Sequence, residues 1–138
     1  MTSILSPDYK PTDSEPFMSQ RMKDYFCDKL LSWKRELLDE STETINNLQA
    51  NSRSEPDPAD RASLETDHAL ELRTRDRERK LIAKIDAALQ RIEDGTYGFC
   101  EETGEPIAIK RLEARPIATL SIEAQERHER MERTQRDD

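Results

Sequence analysis

The apolar positions of this chain recur at helical spacing in two places. Met22, Phe26, Leu30, Trp33 and Leu37 step by 4, 4, 3 and 4, which marks one face of an α-helix. Ile45 and Leu48 extend the stripe more weakly. No glycine or proline interrupts residues 17–55, so the pattern predicts a helix of roughly 35 residues, about 50 Å long. Leu81, Ile82, Ile85, Leu89 and Ile92 form the second stripe. Between the two, Pro56 and Pro58 flank Asp57 and must stop the first helix. Asp57 suits an N-cap, Pro58 the first helical position and Asp60 the capping-box acid. A second helix then runs to about Asp94.

Two long helices joined by a short turn are expected to lie antiparallel as a two-stranded coiled coil with a thin seam. The stripes are richest far from the turn, so the turn end is a polar tip. Residues 1–16, with Pro7, Pro11 and Pro16, read as a flexible arm. Residues 17–94 then form the hairpin, with its tip at 52–62. Residues 95–138 form a small knuckle followed by a helix from Ser121. Tyr97, Phe99, Ile107, Ile109 and Leu112 are the candidates to pack that knuckle. The fold class expected is mainly α.

Composition sharpens this reading. Only 33% of the 138 residues are hydrophobic, 5% are aromatic, 38% are charged, and there are three glycines. Ordinary globular chains are about 45–50% apolar, which argues against a large enzyme core, and the scarcity of aromatics and turn glycines argues against a sheet-rich fold. The net charge of −8 argues against direct DNA binding, which needs a basic surface. No apolar run reaches the ~18 residues that span a bilayer, and the first 16 residues do not resemble a secretory signal. A cytoplasmic monomer is the expectation.

Three segments carry candidate chemistry. The first is the tip, Asp57-Pro58-Ala59-Asp60-Arg61-Ala62, where the acids either cap the helix or project beyond it. The second is Arg73 to Lys84, where six bases face two acids. It reads either as a solvated helix face or as a contact for an acidic surface or a phosphorylated ligand. The third is Cys100. Cys100-x₂-Thr103 and Ser121-x₂-Ala124, with 17 residues between them, have the spacing of a four-thiolate zinc site in which three ligands are replaced. Thr, Ser and Ala do not substitute for thiolates, so zinc is not expected, and Cys100 becomes a lone thiol. Glu101 and Glu102 beside it argue against a low pKa. Cys27 lies far away in sequence, so a disulfide is not expected. His68 and His128 have no nucleophile near them in sequence, and no catalytic constellation emerges.

Four motifs in order point to one family: Asp57-Pro58-Ala59-Asp60-Arg61-Ala62; Leu70-Glu71-Leu72-Arg73-Thr74-Arg75-Asp76-Arg77-Glu78-Arg79-Lys80-Leu81-Ile82; Ile92-Glu93-Asp94-Gly95-Thr96-Tyr97-Gly98-Phe99-Cys100; and Arg111-Leu112-Glu113-Ala114-Arg115-Pro116. Over residues 20–128 the chain resembles the DksA/TraR family of bacterial transcription factors, in its cysteine-poor form. The resemblance implies a non-enzymatic regulator that enters the secondary channel of RNA polymerase. It would alter promoter open complexes together with the alarmone ppGpp, repressing ribosomal RNA promoters and activating some amino-acid promoters. It places Asp57, Asp60 and Ala62 near the polymerase active site and Arg77 on the channel rim. Leu81, Lys84 and Arg115 fall at the alarmone site, where a further family lysine is Gln125 here. Two other readings remain open at this stage: a transcript-cleavage factor similar to the Gre proteins, with tip acids lent to a metal ion, and a redox sensor centred on Cys100.

Overall fold

The computed structural model describes residues 8–52 and 58–137. Four helices occur among them: α1 (Gln20–Ser52), α2 (Pro58–Asp94), α3 (Ile109–Ala114) and α4 (Ile122–Asp137). Packing divides the chain into two compact units. One comprises the residues up to Leu30 and those from Ala87 onward; the other is Leu31–Asp86.

The ends of the long helices follow local chemistry. At the start of α1, the Ser19 hydroxyl accepts from the Met22 N–H at 3.3 Å, an N-cap bond. Pro58 opens α2, where its missing N–H costs nothing. At the far end Gly95 has φ +83°. The Thr96 N–H donates to the Arg91 carbonyl at 2.9 Å and the Gly95 N–H to Ile92 at 3.3 Å. This left-handed closure satisfies the last carbonyls and turns the chain away.

In the Leu31–Asp86 unit the helical hairpin is closed by a thin seam. Leu37 and Ile85 are its buried apolar residues among those described. Lys34 reaches Asp86 across the seam at 2.7 Å. The sheltered positions of α2, namely Leu64, His68, Glu71, Glu78, Ile82 and Ile85, recur with heptad steps. Toward the turn that seam becomes polar. Glu78 is only 9% exposed, and one of its carboxylate oxygens is buried without a hydrogen-bond partner.

The other unit holds most of the core. Met22, Phe26, Leu30 and Ala88 from the long helices pack with Tyr97, Ile107, Ile109, Leu112, Ile117, Ala118 and Ala124. After α2 the chain makes a tight loop closed by one antiparallel bridge, Phe99 to Pro106. The Ile107 N–H donates to the Gly98 carbonyl at 2.7 Å and the Cys100 N–H to Glu105 at 2.8 Å. Gly98 has φ +89°, and a Cβ there would stand 2.9 Å from the Met18 methyl and 3.0 Å from the Phe17 ring. The loop therefore requires glycine at this point.

Two features of this unit were not foreseen. The first is α3, a single short helix inside the segment expected to be a small knuckle. Its N-cap, Ala108, makes no side-chain cap bond, and its helicity comes from burying Ile109 and Leu112 on one side. The second is the docking of residues 8–19, part of which was expected to be a flexible arm. Tyr9 packs edge-on against Tyr25 at 5.8 Å, and Phe17 against Phe99 at 5.3 Å. The Arg21 guanidinium lies 4.0 Å over the Tyr9 ring.

Candidate functional site

The expected site residues are distributed over both units. Asp57 lies outside the described residues. Asp60 sits in the first turn of α2, and Ala62 on the next turn is exposed. Arg77, Leu81 and Lys84 share one side of α2 by their spacing of 4 and 3. Arg77 and Lys84 are exposed, and Leu81 is half-buried. The bases around them are partly paired within the helix: Asp76 lies 2.6 Å from Arg79 and 3.7 Å from Lys80. Leu72, Arg75, Asp76 and Arg79 line a shallow hollow on the same helix, a feature that sequence periodicity alone did not indicate.

Arg115 belongs to the other unit and is exposed. It ends α3, with its N–H donating to the Arg111 carbonyl at 2.7 Å and its own carbonyl accepting from Ala118 at 3.0 Å. The Tyr97 hydroxyl donates to the next carbonyl, that of Pro116, at 2.7 Å. Burial pushes the Tyr97 phenol well up from its ordinary value, so it stays a neutral donor at neutral pH. Just before Arg115, Glu113 accepts from the Tyr25 hydroxyl and pairs with Lys29 at 3.2 Å. Burial, followed by the bond to Glu113, raises the Tyr25 phenol to about 12.

Cys100 is 2% exposed. Burial alone raises a thiol pKa, but here hydrogen bonds reverse the outcome. The Thr103 hydroxyl and the backbone N–H groups of Ser121, Thr103 and Glu102 donate to the sulfur and bring it down to about 6. The expectation of an ordinary thiol beside Glu101 and Glu102 is therefore wrong. Those carboxylates do not decide the matter, because backbone donors reach the sulfur first. Glu102 turns instead toward α4, 2.7 Å from His128 and 3.4 Å from Arg127. Cys27 has the opposite character: burial and the neighbouring Asp28 and Asp24 raise it. Both cysteines are free thiols.

Residues 22–92 match the family model of the N-terminal domain of DnaK suppressor protein DksA. The chain belongs to the DksA/TraR family. Residues 95–130 match the prokaryotic dksA/traR C4-type zinc finger. An RNA polymerase-binding transcription factor DksA of Caulobacter vibrioides is 66% identical over 98% of this chain and 95% of its own length. The protein of that name from Escherichia coli is 44% identical over 83% and 76%. The solved structure of transcription factor DksA2 from Pseudomonas aeruginosa superposes with a TM-score of 0.81 at 44% identity, covering 85% of this chain and 90% of that one.

The zinc-finger match corrects the expectation that zinc is absent from this protein. Residues 95–130 are a domain of the zinc-finger family, which points to zinc binding. Within it, Cys100 is the one cysteine, and its hydrogen-bonded sulfur is the group suited to a metal. Among the described residues, however, no three His, Cys, Asp or Glu side chains stand together to hold an ion. The donor set does not make a closed zinc site.

Proposed function

We propose that this chain is an RNA polymerase-binding transcription factor, as its relatives are named. In this reading the hairpin of residues 17–94 enters the secondary channel of the polymerase, carrying the tip of residues 52–62. Asp57, Asp60 and Ala62 approach the active-site region and its mobile elements, where added carboxylate charge alters promoter open complexes. Arg77 contacts the rim. Lys84 and Arg115 are each a cation suited to the phosphates of the alarmone ppGpp, and Leu81 is a side chain for apolar contact with it. Guanidinium and ammonium groups suit phosphate because their hydrogen bonds are charge-assisted.

The observation that carries this reading is the face of α2 on which Arg77 and Lys84 are both exposed with Leu81 between them. Such a face offers cations to a partner without losing its seam. The chain acts by binding and not by catalysis, as a cytoplasmic monomer without a sequence-specific DNA contact. Among the described residues no helix is long and apolar enough to cross a membrane.

Transcription in vitro from a ribosomal promoter, with and without ppGpp, tests the reading. Repression that deepens with ppGpp is the expected result. Asp60→Asn should lose the promoter effect while keeping polymerase binding, and Arg77→Ala should weaken binding. Shortening of RNA in stalled complexes would instead identify a transcript-cleavage factor.

A further inference from the structure

Arg115 is an exposed side chain at the end of a short helix that cannot hold itself in place. Six residues are too few for a stable isolated helix, and α3 has no side-chain N-cap. What fixes Arg115 must come from outside. On its C-terminal side the Pro116 carbonyl is tied to Tyr97, and the Arg111 Nε donates to the Leu120 carbonyl at 2.8 Å. On its N-terminal side, besides Arg111, the polar tether is Glu113, and it reaches back to α1.

We propose that Tyr25 is a positioning residue for the alarmone response: through Glu113 it holds the segment that presents Arg115. The proposal rests on the reading that Arg115 meets the alarmone phosphates. Glu113 receives both Tyr25 and Lys29 on the same oxygen, Oε1. Its other oxygen is buried without a partner, so the carboxylate has one set of donors and one orientation. Of the two, Tyr25 is the stronger tether. A hydroxyl donating to a carboxylate makes a charge-assisted bond. An exposed lysine pair contributes little, and Lys29 is about one-third exposed. The Tyr25 ring is itself held edge-on by Tyr9 at 5.8 Å and Phe26 at 5.3 Å. Removing the hydroxyl leaves that packing intact and leaves Glu113 held only by the weaker Lys29 pair.

The test is a ppGpp titration of promoter repression with Tyr25→Phe, Glu113→Gln and Arg115→Ala. Polymerase affinity is measured separately without ppGpp. Tyr25→Phe should raise the half-effective ppGpp concentration about 3–10-fold, the equivalent of one hydrogen bond. Polymerase affinity and the maximal effect should not change. Glu113→Gln keeps the shape but weakens the acceptor, so it should shift the titration in the same direction by less. Should Arg115→Ala shift the titration while both other variants match the parent, the positioning role is overturned and the Arg115 reading stands. A titration that Arg115→Ala leaves in place overturns the Arg115 reading, and the positioning role with it. Equal loss of polymerase affinity without ppGpp in Tyr25→Phe would mark a general structural role and also overturn the proposal.

Discussion

The Tyr97 hydroxyl donates to the Pro116 carbonyl at 2.7 Å inside the core, joining the end of α2 to the segment that follows α3. The ring packs at 5.6 Å from Phe26, so one side chain connects three stretches of chain. Tyr97→Phe keeps the ring and leaves a buried carbonyl unsatisfied. We expect a loss of about 1–3 kcal/mol, read as a lower urea midpoint with an unchanged slope.

Cys100 should titrate near pH 6. Thiolate absorbance in the ultraviolet should rise with a midpoint about there and vanish in Cys100→Ser, because Cys27 titrates higher. The folded pKa is about 6 against a reference of 9.0. The linked stability is therefore fully present above about 9 and is lost as pH falls toward 6. Chemical denaturation from pH 6 to 9 should show stability rising with pH in the parent. That slope should be reduced in Cys100→Ser.

Glu78 is an acid at a seam position that elsewhere carries Ile82 and Ile85. Its buried, unpartnered oxygen carries a desolvation cost that an apolar side chain would avoid. Glu78→Leu should stabilise the Leu31–Asp86 unit by about 1–3 kcal/mol. Hydrogen exchange of α2 amides between residues 64 and 85 is the direct measurement, and slower exchange is the expected outcome.

Gly98→Ala should destabilise the knuckle and release residues 8–19. The left-handed backbone and the contacts at 2.9 and 3.0 Å with Met18 and Phe17 together cost on the order of 1–3 kcal/mol. Protease cleavage before Gln20 should accelerate in the variant while cleavage within α2 does not.

Particular residues separate what was legible in the sequence from what was not. Pro58 and Gly95 bound α2 by their own backbone chemistry, and both ends of that helix were readable. Ser121 caps α4, accepting from the Ala124 N–H at 3.2 Å, and that start was readable for the same reason. Helix α3 was not, because its helicity depends on burying Ile109 and Leu112 against residues distant in sequence. The acidity of Cys100 was hidden likewise. The neighbouring acids are visible in the sequence, but the N–H group of Ser121, which lies beyond the loop, is brought to the sulfur only by folding.

The sequence by itself determined the long helices, their stripes, the polar turn end and the family. All of these follow from local spacing, capping and propensity. Only the tertiary structure decided which groups meet across the knuckle unit: Tyr25 with Glu113, Tyr97 with Pro116, and the backbone donors with Cys100. Tyr25 and Glu113 are 88 residues apart. No local rule connects such a pair; the shared burial of Phe26, Tyr97 and Leu112 does.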